Sequence, residues 1–220
     1  MVAPTIVGQR LANRYRVLRH LADGSTGAVY LAEDAATSQR VVVKVLIPEL
    51  SFDERTITFL RARLQRNVKL TRAPGSALEA IVDITDVGAL ANDDLYVVMP
   101  QVGGESLAGL ITRRGRLSCA QAKMPLIRIG EVIAAYHGEM IALGQAPALG
   151  TLQASNCYAM RGEGSEATIK IINSGVDEVV VRRMWREGGE HVRSLARYGA
   201  PELSTGEKID IRADVYAFAV

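Results

Sequence analysis

The chain has few of the features that mark membrane proteins or disulfide-rich proteins. Its 220 residues include only two cysteines, Cys119 and Cys157, which lie far apart and match no metal-ligand spacing. We interpret both as buried small hydrophobic residues in a reducing compartment rather than as a disulfide. The sequence contains no run of about 18 apolar residues, so we expect no membrane segment within this chain.

The charge balance argues against a nucleic-acid partner. The 26 basic and 24 acidic residues leave a formal net charge of +2, and nucleic-acid-binding domains are usually strongly basic. Hydrophobic residues make up 48% and charged residues 23%, which is ordinary for a globular domain with a real core. The N-terminus lacks a basic and then apolar signal pattern, so we expect a cytoplasmic protein.

The hydrophobic pattern changes character along the chain. The first hundred residues are typical of strands with one helix, and the remainder is mostly helical after Gly103 and Gly104. Ser118 is the expected N-cap of the longest helix. The strands are predicted at 14–21, 28–33, 41–47, 80–87, 95–99, 157–160 and 168–172, and the helices at 52–71, 106–113, 118–143 and from 214 onwards. This order predicts an α+β fold with two lobes.

Five patches occur in an order that carries a family resemblance. They are 22–30 (ADGSTGAVY), 41–44 (VVVK), 95–107 (LYVVMPQVGGESL), 200–202 (APE) and 214–218 (DVYAF). Together they resemble the Gly-rich loop, the lysine strand, the hinge, the end of the activation segment and the central helix of eukaryotic-like (Hanks-type) Ser/Thr protein kinases. The residues of these motifs are similar to those of bacterial members of this family.

The resemblance covers nearly the whole chain and implies a two-lobed protein-kinase-like fold. It divides the chain into an N-terminal tail at 1–13, a small β-rich N-lobe at 14–101 and a helical C-lobe at 102–220. The C-lobe ends within the central helix, so we expect the domain to be C-terminally incomplete. Asp214, which begins the motif of that helix, holds the catalytic-loop backbone in the family.

The acidic residues that kinase chemistry requires are replaced. Phosphoryl transfer needs a glutamate to position the lysine, an aspartate as proton acceptor and an aspartate to bind magnesium. Lys44 is present, but Ala62 stands at the glutamate position of the pattern in residues 59–63. Thr151 stands at the position of the proton acceptor, and Gln153 replaces the lysine of the same loop. The resemblance therefore implies that no catalytic site is intact.

The magnesium positions also lack carboxylates. In the family, these positions belong to the catalytic-loop asparagine, here Asn156, and to the aspartate replaced by Asn173. An amide oxygen is a much weaker magnesium ligand than a carboxylate. We therefore expect no metal site and classify the chain as a degenerate member of the family, a pseudokinase.

The nucleotide site is partly retained. The family positions that face a nucleotide are held by Gly24, Gly27, Val29, Val42, Lys44, Met99, Val102 and Tyr158. Val42 and Tyr158 are larger than the alanine and leucine that the family places on either side of the adenine, and they could fill its slot. We therefore expect ATP binding to be weak or absent, and independent of magnesium.

Three functions remain open. The first is a pseudokinase that binds protein partners as a scaffold or allosteric module in bacterial signalling. The second is an atypical active Ser/Thr kinase, and the third is an ATP-binding sensor without transfer activity. The basic segment 176–197 is compatible with an acidic or phosphorylated partner, although we favour a solvated loop there.

Overall fold

The computed structural model describes residues 5–24, 26–47, 57–58, 60–62, 77–144, 148–150, 152–160, 168–173, 197–202 and 209–220. The chain divides into two compact units. The first unit contains Met1–Leu70 and Asp83–Gln101, and the second contains Thr71–Val82 and Val102–Val220.

The described residues form ten strands and three longer helices. The strands are β1 (Arg10–Leu11), β2 (Tyr15–Gly24), β3 (Gly27–Asp34), β4 (Gln39–Leu46), β5 (Ile81–Asp83), β6 (Asp86–Ala89), β7 (Leu95–Pro100), β8 (Glu105–Ser106), β9 (Cys157–Met160) and β10 (Thr168–Asn173). The helices are α1 (Leu107–Arg114), α2 (Cys119–Ala142) and α3 (Ile211–Ala219), and Ala77–Ala80 forms a 3-10 turn. None of these helices is both long and apolar enough to cross a lipid bilayer.

The first unit is built on a six-stranded antiparallel sheet with the order β1-β2-β3-β4-β7-β6. Side chains alternate between its two faces, as the pleat requires: Val43 of β4 is fully buried, whereas its neighbours Val42 and Lys44 are half-buried. Ile6 and Leu11 are buried in the same core. Part of the predicted N-terminal tail therefore packs into the first unit.

Two polar contacts stabilise this sheet. Arg14 donates from Nε and Nη2 to the two carboxylate oxygens of Asp34, each at 2.7 Å. This bidentate contact holds the pKa of Asp34 well below its usual range, with help from the Ala36 N–H and the Thr37 hydroxyl. The Tyr15 hydroxyl donates to Asp86 Oδ2 at 2.7 Å and so connects β2 to β6.

The second unit combines a four-stranded sheet, ordered β5-β10-β9-β8, with the three helices. Ser118 is the N-cap of α2, as predicted: its hydroxyl accepts from the Gln121 N–H, and the Gln121 side chain accepts from the Ser118 N–H. Pro125 lies inside this helix and has no N–H for the Gln121 carbonyl, so one helical hydrogen bond is absent near the helix start.

Two predictions about local structure were wrong. Residues 80–87 do not form one strand, because β5 ends at Asp83 in the sheet of the second unit and β6 begins at Asp86 in the sheet of the first unit. The last helix begins at Ile211, three residues before the predicted start, because Asp210 caps it by accepting from the Arg212 N–H at 2.9 Å.

One of the two cysteines also differs from the prediction. Cys157 is buried, and burial raises the pKa of its thiol to about 12. Cys119 is exposed at the start of α2, so the prediction of burial was wrong for this residue. Both thiols are free.

The predicted helix 52–71 is helical at residues 57–58 and 60–62. Its other residues lie outside the described ones, and so does most of segment 176–197.

Candidate functional site

One face of the sheet in the first unit brings together four of the predicted nucleotide-site residues. Lys44 pairs with Val29 on one side, and Val42 pairs with Met99 on the other. Residues directly opposite one another in neighbouring strands share a face, and so do residues two apart along one strand. Val29, Val42, Lys44 and Met99 therefore lie on a single face, opposite the core side of Val43.

The two glycines of the Gly-rich turn have different structural roles. Gly24 pairs with Gly27 where β2 passes into β3. Gly27 has φ of +150°, and a Cβ there would collide with the carbonyl oxygen of Val45. A Cβ at Gly24 would instead meet the Gly27 carbonyl oxygen at an ordinary 3.4 Å. The local fold therefore requires glycine at 27 but not at 24.

The helical stretch after β4 presents no carboxylate among its described residues. Leu60 is fully buried, whereas Arg61 and Ala62 are exposed. Ala62, which stands at the glutamate position of the kinase pattern, therefore offers only a methyl group.

In the second unit, the turn before β9 holds Asn156 next to the end of β10. The Asn156 N–H donates to the Gln153 carbonyl at 2.9 Å, and the Asn156 carbonyl accepts from the Ile172 N–H at 2.8 Å. Asn173 follows Ile172 as the last residue of β10. The backbone thus brings together the two positions that the kinase pattern uses for magnesium. Thr151 and the Asn173 side chain lie outside the described residues.

Tyr158 and Gln153 occupy different surroundings within this unit. Tyr158 lies on β9 between Ser106 of β8 and Lys170 of β10, and burial raises the pKa of its hydroxyl. Gln153 lines an apolar groove together with side chains of the helices, among them Leu107 and Ile129. Gln153 therefore stands in a mainly apolar environment, where the kinase pattern has a lysine.

The hinge region contributes Val102, which is half-buried. Two residues later, Gly104 adopts φ of +82° and passes so close to β9 that a Cβ would collide with the Ala159 carbonyl. The second unit thus holds the backbone after Val102 directly against the strand that carries Tyr158.

A buried carboxylate supports the loop that leads to residue 151. Asp214 is 1% exposed, and its Oδ2 accepts from the Leu149 N–H at 2.7 Å, while its Oδ1 accepts from the Gly150 N–H at 2.8 Å. The expectation that Asp214 holds this backbone is confirmed. His137 of α2 adds a third contact, with its Nε2 2.8 Å from Asp214 Oδ2. His137 was not predictable from the sequence, because 77 residues separate it from Asp214.

The acidic side chains among the described residues do not gather into a metal site. Within the part of the chain that the structure describes, no group of three or more His, Cys, Asp or Glu side chains is arranged to hold a metal ion.

The solved structures with a similar fold include a bacterial kinase domain. The kinase domain of Mycobacterium tuberculosis PknI matches with a TM-score of 0.66 and 23% identity, over 96% of this chain and 73% of that one. A double-mutant form of the same domain gives a TM-score of 0.67, also at 23% identity, over 100% of this chain and 75% of that one. These matches establish a protein-kinase-like α+β fold.

The curated relatives carry kinase names. The chain is 30% identical over 218 residues to the Ser/Thr protein kinase PknA of Mycobacterium tuberculosis, and it is 29% identical over 214 residues to the Ser/Thr protein kinase pkn2 of Myxococcus xanthus. These alignments cover 97% and 96% of this chain but only 47% and 24% of the relatives, so the chain spans less than half of their length. No protein-family model matches the chain. The chain is therefore a protein-kinase-like domain whose homologues are bacterial Hanks-type Ser/Thr protein kinases.

Proposed function

We propose that this domain is a pseudokinase that acts as a signalling scaffold or allosteric module and transfers no phosphate. The observation that carries the proposal is the replacement of three separate carboxylates. Ala62, Thr151 and Asn173 stand where the kinase pattern has the glutamate beside the lysine, the aspartate that accepts the proton and the aspartate that binds magnesium. A single replacement is compatible with an unusual enzyme, whereas the three together remove each acidic group that the reaction requires.

The backbone features favour a role that depends on the fold. Gly27 and Asp214 both match the kinase pattern, and each satisfies a local packing or hydrogen-bonding need. Their presence is explained without phosphoryl transfer. A protein-binding module needs a stable fold and a specific surface, and both can persist when the chemistry is lost.

The competing proposal is an atypical active kinase. It is favoured by Lys44, by Asn156 and by the names of the two relatives described above, which are both named as Ser/Thr protein kinases. In this proposal, Asp177 or another nearby carboxylate would replace the missing magnesium ligand. That segment of the chain lies outside the described residues.

Phosphate incorporation from labelled ATP separates the two proposals. We expect the purified chain to incorporate no more phosphate than its K44A variant, with either magnesium or manganese present. Incorporation that depends on Lys44 would overturn the pseudokinase proposal. The double variant T151D/N173D, with and without K44A, returns two of the carboxylates. A Lys44-dependent gain in this variant would show that their loss limits the reaction.

Nucleotide binding tests the third function, an ATP sensor. Val42 and Tyr158 stand where the kinase family has smaller residues next to the adenine, so we expect ATP to raise the melting temperature little, with or without magnesium. The V42A/Y158L variant places smaller side chains at both positions and so enlarges the space for adenine. We expect ATP to raise the melting temperature of this variant more. A rise of several degrees for the unmodified chain at millimolar ATP would favour the sensor.

A further inference from the structure

A row of arginines crosses four strands of the first unit. Arg10 pairs with Arg16, Arg16 with Glu33, and Glu33 with Arg40, across β1, β2, β3 and β4. We call these four residues the arginine row. Their positions lie on the same face of the sheet as Leu31 and Val42, which are two residues away along their strands. The row could not be predicted from the sequence, because its members are up to 30 positions apart.

The charges of this row are not balanced within the described residues. Three arginines face one glutamate, and the contact from Arg16 Nη2 to the Glu33 carboxylate is long, at 3.4 Å and 3.5 Å. Arg10 and Arg40 are exposed and make no ion pair in the described ranges. Arg19 adds a further exposed cation beside Leu31, after a register shift in β2.

The arrangement differs from the other charged contacts of the same sheet. Arg14, one residue before β2, has a bidentate carboxylate partner in Asp34 at 2.7 Å. Arg10 and Arg16 instead stand directly opposite one another, an arrangement of like charges that is unfavourable between neighbouring strands. An external anion would relieve this repulsion, and guanidinium groups bind carboxylates and phosphates through paired hydrogen bonds.

We infer that the arginine row is a docking surface for an acidic segment of a partner protein. Four neighbouring strands span about 14 Å, which is the length of roughly four residues of an extended peptide. Side chains at every second position of such a peptide point to the same face. The partner is therefore a segment with acidic or phosphorylated side chains at alternate positions. The inference does not depend on whether the domain transfers phosphate.

Binding of a labelled synthetic peptide to the 220-residue chain tests this surface. The peptide alternates glutamate with serine over about eight residues, and matched peptides carry glutamine or phosphoserine at the glutamate positions. Fluorescence anisotropy should show binding of the glutamate or phosphoserine peptide, no binding of the glutamine peptide, and weaker binding as salt increases. Binding of either anionic peptide supports the proposal. The peptide that binds more tightly indicates whether the row prefers carboxylate or phosphate groups.

Paired variants distinguish the row from overall charge. We expect R10Q/R40Q to weaken binding about tenfold, because it removes two of the three cations of the row. E33Q should strengthen binding, because it removes the only acid of the row. R114Q/R116Q is the control: it removes two exposed arginines from the end of α1 and the following turn and should leave affinity nearly unchanged. Melting temperatures of all variants verify that each remains folded.

Three results would overturn the inference. One is equal weakening by R10Q/R40Q and R114Q/R116Q, which would indicate a response to net charge alone. Another is unchanged binding of R10Q/R40Q. The third is binding to anionic lipid vesicles or DNA without binding to either anionic peptide.

Discussion

Two neighbouring parts of the second unit differ in how closely they follow the kinase pattern. Asp214 matches the pattern, is fully buried and receives three hydrogen-bonding contacts. The loop that it supports leads to positions 151 and 153, where the pattern requires an aspartate and a lysine and this chain has Thr151 and Gln153. A buried backbone N–H needs an acceptor whether or not the loop performs chemistry. A reacting side chain, in contrast, is needed only for the reaction.

The largest effect that this comparison predicts is for D214N. The two carboxylate oxygens of Asp214 accept from the N–H groups of Leu149 and Gly150, whereas asparagine has only one acceptor oxygen. The amide NH2 of asparagine would therefore face one of these two N–H donors. We expect the free energy of unfolding to fall by about 3 kcal/mol or more, measured by urea denaturation.

D210N is the matched control, because it makes the same substitution on the same helix. Asp210 caps α3 and pairs with the exposed Arg212. Asparagine is an equally good N-cap, so the loss should stay below about 1 kcal/mol. Equal losses for the two variants would contradict the distinction between the buried support and an exposed contact.

The second prediction extends the comparison to the Gly-rich turn of the first unit. If Gly27 is present for the fold, G27A should destabilise the chain in the absence of any nucleotide, by about 2 kcal/mol or more, through backbone strain and the collision with Val45. G24A, at the neighbouring glycine, should cost less than about 1 kcal/mol. Thermal unfolding of the two variants measures the difference. A G27A variant as stable as the unmodified chain would contradict the structural role of this glycine.

The smallest predicted effect concerns pH. The pKa of Asp34 is lower in the folded state than in the unfolded state, chiefly because of Arg14, so the unfolded chain takes up the proton first as pH falls. The stabilisation from this contact is therefore present above about pH 4 and is lost below it. We expect D34N to have a lower melting temperature at neutral pH and a flatter dependence between pH 5 and pH 3. The exposed Asp93 offers the control D93N, which should behave like the unmodified chain.

The sequence predicted the elements that are determined by residues close together in the chain. Strand β9 has the predicted bounds because an apolar run with turn-forming neighbours is sufficient to mark it, and the N-cap at Ser118 depends on residues only three positions away. The prediction of one strand at 80–87 was wrong because its apolar pattern continues through Ile84. The structural break there depends on a distant group: the Thr85 N–H donates to the Val98 carbonyl at 2.7 Å and joins the chain to another sheet.

The site was predictable to the extent that it follows motifs. The shared face of Val42 and Lys44 follows from the period of a strand, and the role of Asp214 follows from the family pattern. His137 and the arginine row were not predictable, because both depend on which strands and helices become neighbours. Asp210 was missed although its signal was present, since an aspartate just before a helical pattern is a common N-cap.

The two thiols of the second unit differ in exposure, so their rates of chemical labelling report local opening of the structure. Cys119 is exposed and should react at once with an alkylating reagent, whereas Cys157 is buried in β9 and holds its proton at ordinary pH. Modification of the second thiol therefore requires the structure around β9 to open locally. The delay between the two labelling events measures how often the native chain exposes Cys157, and it needs no mutation.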